Sequence, residues 1–219
     1  MDGGVLVRPG DRLAQAAVAV GTLTRGSGRV GLSYCSGTLI GSDLVLTAAH
    51  CVGGNAVAAM VFFYDGSRPR PNGQPASAVA RYAVPTGDVP SRYATSLREL
   101  TMDTAVLRLS TPVRVRTRVR IARDFANLPS VLRVAGVGLS EQGTGTLKTT
   151  TVTPVAMTDR GLIIARTNGG ARVCIGDSGG PAVSSGKAGV ALWGVLSAVL
   201  SSDGACGDVV VIAPAAPGA

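Results

Sequence analysis

Histidine is almost missing from this sequence of 219 residues, in which His50 is the only one. No Cys-x-x-C pair accompanies it, so the chain lacks the residues of a usual zinc site and we expect no metal. No run of about 18 apolar residues occurs, and no transmembrane helix is predicted. Long stretches with a 3.6-residue apolar period are also missing, which argues against a mainly helical fold.

Acidic residues are scarce beside basic ones, with 13 against 21 and a formal net charge of +8. Such an excess is compatible with nucleic acid, a membrane surface or an acidic substrate. No nucleic-acid-binding motif is present, so we expect neither nucleic acid nor a membrane as partner. Residues 113–121 alternate valine or isoleucine with arginine, which would place the two types on opposite faces. We interpret the arginines as a solvated face rather than an anion-binding stripe.

Apolar residues are plentiful, at 46% against 16% charged, which is typical of a globular chain. Short apolar segments, such as 57–64 and 190–197, alternate with turns rich in glycine and serine. The small-residue segment 15–21 is a further candidate strand. These segments predict an all-β fold.

The four cysteines allow three disulfide pairings and favour an oxidising compartment. No signal-peptide pattern follows Met1, since a basic start and a long apolar run are both missing. Two interpretations stay open: a leader was removed from a secreted or periplasmic protein, or the protein is intracellular with free thiols.

One segment, 174–181, carries the pattern of a reactive serine: Ser178 follows an aspartate and precedes two glycines. Such a serine needs a base and nearby N–H groups that stabilise a developing oxyanion. His50 is the available base, and Asp103 is the best candidate for the carboxylate that orients it. Gly176 has no Cβ and can turn its amide toward the substrate.

The segments 35–51, 103–109 and 174–181 resemble the trypsin/chymotrypsin-like serine proteases, in which histidine, aspartate and serine follow in this order. The resemblance implies two antiparallel Greek-key β-barrels with the active site in the crevice between them. Residues 1–115 would form the first barrel, with His50 and Asp103. Residues 116–219 would form the second, with Ser178.

The resemblance also implies a role for each site residue. Ser178 would be the nucleophile, His50 the general base and then the general acid, and Asp103 the group that holds the imidazole. The amides of Gly176 and Ser178 would form the oxyanion hole, and Ser197 would contact Asp103. The implied disulfides are Cys35–Cys51 and Cys174–Cys206. The expected function is a serine endopeptidase acting on proteins or peptides without a cofactor.

The N-terminus departs from the family pattern. There, an apolar residue pair followed by two glycines inserts and pairs with the aspartate before the serine. Gly3 and Gly4 match the glycines, but Met1 and Asp2 do not match the apolar pair, so insertion onto Asp177 is not expected. Two alternatives are therefore kept: a protease held inactive until a partner or a cleavage event orders the Asp177 loop, and a non-catalytic binding homologue.

The specificity pocket is the least determined part of the site. Arg172 occupies the position where trypsin has the aspartate that binds basic side chains, and Val199 stands at the pocket mouth. Arg172 could bind an acidic side chain; Asp208 could neutralise it, leaving a pocket for small residues; or Asp208 could itself accept a basic side chain. Arg172 could equally point to solvent. We expect a preference for small or acidic residues before the cut bond.

Overall fold

The computed structural model describes residues 1–26, 29–53, 56–82, 103–159, 161–186, 189–200 and 205–215. These residues are mostly in β-strands, which close into two antiparallel barrels. The all-β prediction is therefore confirmed. Within this part of the chain, no helix is both long and apolar enough to cross a membrane.

The chain starts with strand β1 (Val5–Leu6) and a short helix α1 (Arg12–Ala16). Asp11 caps the helix, because its side chain accepts a hydrogen bond from the Leu13 amide at 2.8 Å. The expectation of a strand over 15–21 is therefore wrong at its start, where the capped turn overrides the small-residue pattern. The strand begins at Ala17.

The first barrel closes through six strands, because its first strand, β2 (Ala17–Gly26), pairs with both β3 (Arg29–Leu39) and β5 (Ala56–Asp65). A two-residue strand extends β5 at its end. Along the barrel wall, the first, second and third strands are followed by the sixth, fifth and fourth, which is a Greek-key order. The strands are β2 (Ala17–Gly26), β3 (Arg29–Leu39), β4 (Leu44–Thr47), β5 (Ala56–Asp65), β6 (Arg68–Pro69), β7 (Gln74–Tyr82) and β8 (Thr104–Leu109).

The second barrel repeats this order. The strands, including three short ones outside the barrel wall, are β9 (Val119–Ile121), β10 (Leu132–Gly136), β11 (Lys148–Met157), β12 (Ile163–Thr167), β13 (Val173–Cys174), β14 (Pro181–Gly186), β15 (Gly189–Leu200), β16 (Cys206–Gly207) and β17 (Val209–Pro214). The wall comprises β10, β11, β12, β17, β15 and β14. Strand β9 joins β15 in parallel, and β13 pairs with β16. Strand β1 pairs with β11, although it precedes the first barrel in sequence. The division at residue 115 remains a prediction.

Each barrel has its own buried core, and a third apolar cluster joins the two. Leu46 and Tyr64 of the first barrel belong to this joining cluster together with Val137, Leu147 and Leu192 of the second. Because apolar side chains of both barrels are buried in one cluster, the barrels are held against each other and the crevice between them has a fixed floor.

The segment 113–121 is only partly regular. Its arginines are exposed, as interpreted from the sequence, but Val115 is exposed too, so valine and arginine do not separate cleanly. Thr117 is buried and donates a hydrogen bond to Gln15 at 2.7 Å. The segment is therefore held by this polar contact together with the partly buried Val113, Val119 and Ile121, which pack on the apolar clusters.

Candidate active site

Asp103 and His50 meet at the edge of the first barrel. Asp103 immediately precedes β8, and His50 lies in a 3₁₀ turn (Ala49–Val52) that follows β4. The Nδ1 atom of His50 is 2.7 Å from one carboxylate oxygen of Asp103, and the His50 backbone amide donates to the other oxygen at 2.9 Å. Ser197 donates to Asp103 at 2.6 Å. The pairing of β4 with β8 brings the turn and the aspartate together.

The electrostatics of this pair favour a basic imidazole. Burial acts to lower the pKa of His50, whereas the charge of Asp103 and its hydrogen bond raise it, and the net pKa lies above the usual value of 6.5. The side chain of His50 remains 33% exposed, while Asp103 is buried. The imidazole is thus anchored on its Nδ1 side and open on the other.

Ser178 lies in the loop after β13 and is held against the first barrel. Its carbonyl oxygen accepts a hydrogen bond from the Ser36 amide at 2.7 Å and lies 3.8 Å from the Cys51 sulfur. A Cβ on Gly179 would lie 2.2 Å from both the Ser36 carbonyl oxygen and Thr47 Oγ1, so only glycine permits this approach. No hydrogen bond joins Ser178 to His50 in the described part of the chain. Such bonds are often long without substrate.

The backbone of residues 175–180 leaves two N–H groups free. The other amides donate to backbone carbonyls at 2.6–3.0 Å, namely Ile175 to Ala205, Asp177 to Cys174, Gly179 to Leu196 and Gly180 to Asp177. Among the described residues, the amides of Gly176 and Ser178 have no acceptor. Gly176 has a φ of +92°, which favours glycine. Both amides are therefore available to an oxyanion.

The Met1 amino group pairs with Asp177, which corrects the expectation from the sequence. The ammonium is 2.9 Å from one carboxylate oxygen of Asp177, and both groups are fully buried. Met1 fits because its flexible, unbranched side chain packs into the core of the second barrel. Asp2 remains partly exposed and uses its backbone to pair with Arg172.

Asp177 is stabilised by several donors at once. The amides of Cys174 and Gly138 each donate to its carboxylate at 2.8 Å. Complete burial raises the pKa of Asp177, while the Met1 ammonium and these two amides act in the opposite direction. Three donors fix the carboxylate, and with it the backbone on both sides of residue 177.

Sequence reasoning missed three residues around this loop. A Cβ on Gly136 would lie 2.2 Å from an Asp177 oxygen, and one on Gly138 would lie 2.5 Å from the Asp177 amide nitrogen. The Gly-x-Gly pattern at the end of β10 could have indicated such a close approach. Ser36 is buried and contacts both ends of the loop, but nothing in its local sequence sets it apart.

Two disulfides tie the site to the barrels, as predicted. Cys35 is bonded to Cys51, and Cys174 to Cys206. The first joins β3 to the turn that carries His50. A nitrogen of His50 and the sulfurs of Cys35 and Cys51 lie within 4.8 Å of one another, but bonded sulfurs offer no thiolate to a metal.

The three pocket residues are not brought together. Arg172 donates to the Cys206 carbonyl oxygen at 2.6 Å and is partly buried. Asp208 is 53% exposed and instead accepts from Arg166 at 2.5 Å, because the pairing of β12 with β17 sets Arg166 opposite Val209, the residue after Asp208. This geometry supports neither neutralisation of Arg172 by Asp208 nor an Asp208 site for basic side chains. Val199 packs on the second barrel core.

Comparisons with known proteins agree on one family. The sequence model of the trypsin family matches residues 2–215. A snake venom serine protease, BthaTL of Bothrops alternatus, is 27% identical, over 75% of this chain and 76% of its own. The inactive snake venom serine proteinase 13 of Crotalus adamanteus is 28% identical, over 74% and 68%. The solved structure of HL collagenase shares the fold, with a TM-score of 0.69, 22% identity and coverage of 98% and 93%.

Proposed function

This chain belongs to the trypsin family, and we propose that it is a serine endopeptidase that hydrolyses peptide bonds through an acyl-enzyme on Ser178. Two features of neighbouring segments carry the proposal, since the sulfur of Cys51, next to His50, lies 3.8 Å from the Ser178 carbonyl oxygen. The first is an imidazole held by Asp103. The second is the pair of amides at Gly176 and Ser178 that have no acceptor among the described residues.

The proposed reaction has two halves, acylation of Ser178 and hydrolysis of the acyl-enzyme, and the same residues act in both. Ser178 Oγ attacks the substrate carbonyl carbon while His50 takes the hydroxyl proton, and the oxyanion is stabilised by the amides of Gly176 and Ser178. His50 then gives the proton to the leaving amine, and the carbon–nitrogen bond breaks. Water repeats the sequence on the acyl-enzyme and releases the acid. Asp103 stabilises the imidazolium but keeps its own charge.

Two alternatives make different predictions. A non-catalytic homologue would keep the fold without turnover, as the name of the inactive Crotalus relative illustrates for that protein. A protease awaiting activation would have a disordered Asp177 loop. The ion pair between Met1 and Asp177 favours an ordered, competent loop over this second alternative.

The test is covalent labelling of the serine. A fluorophosphonate should label the wild type at Ser178, and Ser178→Ala should abolish both labelling and hydrolysis without changing the thermal unfolding temperature. Ser42→Ala, at an exposed serine in the turn before β4, is the control and should label normally. Equal turnover by wild type and Ser178→Ala would exclude the proposed nucleophile.

The family indicates the class of substrate, and the disulfides and the relatives indicate the cellular location. The family implies a protein or peptide substrate. We infer a secreted or periplasmic protein from its two disulfides and its similarity to venom proteases. Thiol titration of protein from its natural source should find no free cysteine. Four free thiols would contradict this location.

A further inference from the structure

Ser36 contacts the Asp177 loop, residues 175–180, at two points. Its amide donates to the Ser178 carbonyl oxygen at 2.7 Å, and its hydroxyl donates to the Gly176 carbonyl oxygen at 3.0 Å. The same hydroxyl accepts from the Val137 amide at 3.0 Å. Ser36 is 1% exposed, so water does not compete for these bonds. The hydroxyl thus links the first barrel, the second barrel and the loop.

The Gly176 carbonyl differs from its neighbours in how it is held. The carbonyls of residues 175, 177 and 178 accept from the backbone amides of Leu139, Gly180 and Ser36, respectively. Of the four carbonyls of residues 175–178, only that of Gly176 accepts its hydrogen bond from a side chain of the described residues. Glycine at a φ of +92° has no Cβ to limit rotation of its peptide groups. The Ser36 hydroxyl therefore constrains the peptide group that follows this residue.

We propose that Ser36 is a positioning residue for the oxyanion hole, fixing the direction of the Gly176 amide through the Gly176 carbonyl. The amide and the carbonyl of one residue are linked by two backbone dihedral angles. Leu139 holds the peptide group before Gly176, and Ser36 holds the one after it. With both held, the Gly176 N–H points to the crevice before substrate arrives. This role deepens the proposed protease function and rests on it.

Removing the hydroxyl should weaken transition-state stabilisation more than substrate binding. In Ser36→Ala, we expect kcat to fall about 10- to 100-fold, less than the 10²- to 10³-fold typical of losing a donor outright. KM should change by less than about twofold, because the substrate carbonyl is bound less tightly than the oxyanion. The affinity for a peptide boronic acid, which forms a tetrahedral adduct on Ser178, should fall by the same factor as kcat.

The matched control is Thr38→Val, two residues further along β3. Thr38 is also buried, but its hydroxyl has no hydrogen-bond partner among the described residues. This change removes a buried hydroxyl from the same strand without touching the loop, so kcat and boronate affinity should stay near wild type. Ser36→Gly, which leaves room for a water, serves as the second variant if Ser36→Ala does not fold.

Hydrogen–deuterium exchange over residues 173–180 tests the loop without any turnover. Ser36→Ala should exchange faster at the Asp177 and Gly180 amides, and Thr38→Val should not. If wild type is neither active nor labelled while Ser36→Ala still exchanges faster, the protease function fails and the positioning of the loop stands. The inference is overturned if Ser36→Ala keeps kcat, boronate affinity and exchange, or if Thr38→Val loses as much.

Discussion

Asp103 makes three hydrogen bonds in a space from which water is largely excluded. Its partners are the ring and the backbone amide of His50 and the hydroxyl of Ser197. The backbone bond fixes where the turn stands, and the ring bond fixes which imidazole nitrogen carries the proton. Ser197 donates a further hydrogen bond to the carboxylate, and the ring nitrogen of His50 that does not face Asp103 is the base in the proposed mechanism.

The pH dependence of hydrolysis should report this pair. A general base works when neutral, so activity should rise as pH passes through the pKa of His50, with a midpoint above 6.5. In Asp103→Asn, the charge that raises this pKa is gone, so the midpoint should move to lower pH. The rate should also fall, by about 10⁴-fold. The measurement is kcat/KM against pH. Asp43→Asn, which affects only a surface pair with Arg108, should leave the midpoint in place.

Arg172 should decide the residue preferred before the cut bond. The sequence predicts Arg172 at the pocket floor, where a cation would repel a basic side chain because arginine does not lose its proton. We expect acidic and small residues to be cleaved faster than Arg or Lys in a peptide series differing only at that position. Charge-assisted hydrogen bonds, worth roughly 1.5–3 kcal/mol, would favour acidic over basic residues by about 10- to 100-fold.

Two variants separate the effect of Arg172 from that of Arg166, the exposed arginine that pairs with Asp208. Arg172→Ala should reduce the preference for acidic residues. Arg166→Ala, which only releases Asp208, should leave it unchanged. Fastest cleavage after Arg or Lys by the wild type would show that the pocket is not governed by Arg172.

At the scale of elements, the site depends on one glycine-containing strand end packed against one glycine-containing loop. Strand β10 ends at Gly136, and the chain then runs past Asp177 to Gly138, which donates its amide to the carboxylate. The two segments approach so closely that side chains are excluded from the contact. The loop therefore takes its shape from a neighbouring strand of the barrel.

Gly138→Ala should distort the Asp177 loop. The added Cβ would lie 2.5 Å from both the Asp177 nitrogen and the Ile175 oxygen, which are backbone atoms and cannot move independently. We expect kcat/KM to fall by about 100-fold or more and the free energy of unfolding by about 1–3 kcal/mol. Gly186→Ala, where a Cβ meets nothing within 4 Å, is the control. Comparable losses in both variants would contradict this contact.

At the scale of the whole molecule, the two barrels share one apolar cluster. Leu46 is nearly fully buried there, beside residues of both barrels. Polar contacts also cross between them, including the bond from the Tyr64 hydroxyl to the Gly145 carbonyl oxygen at 2.8 Å. Because one core cluster contains buried residues of both barrels, we expect the barrels to unfold together.

Leu46→Ala tests whether the two barrels unfold together, and the fluorescence of Trp193 reports on the second barrel. Trp193, the only tryptophan, is buried in the core of the second barrel, whereas Leu46 belongs to the first. The substitution should lower the free energy of unfolding by about 2–5 kcal/mol. It should shift the denaturation curve followed by Trp193 fluorescence as much as the curve followed by circular dichroism. Leu23→Ala, at an exposed position, should shift neither. Unequal shifts for Leu46→Ala would mean that the barrels unfold separately.

The order of motifs around His50, Asp103 and Ser178 was enough to indicate the family, the all-β fold and the disulfide pairing. Strand patterns and catalytic segments are local, so they can be read from neighbouring residues. The partners of Asp177, Ser36 and Asp208 could not be read in this way, since they lie far apart along the chain. Met1 reaches Asp177 because the second barrel has an apolar space that fits it, and Asp208 takes Arg166 because two strands pair in one register. Space and register arise only when the chain is folded, and at these points tertiary structure decided what the sequence left open.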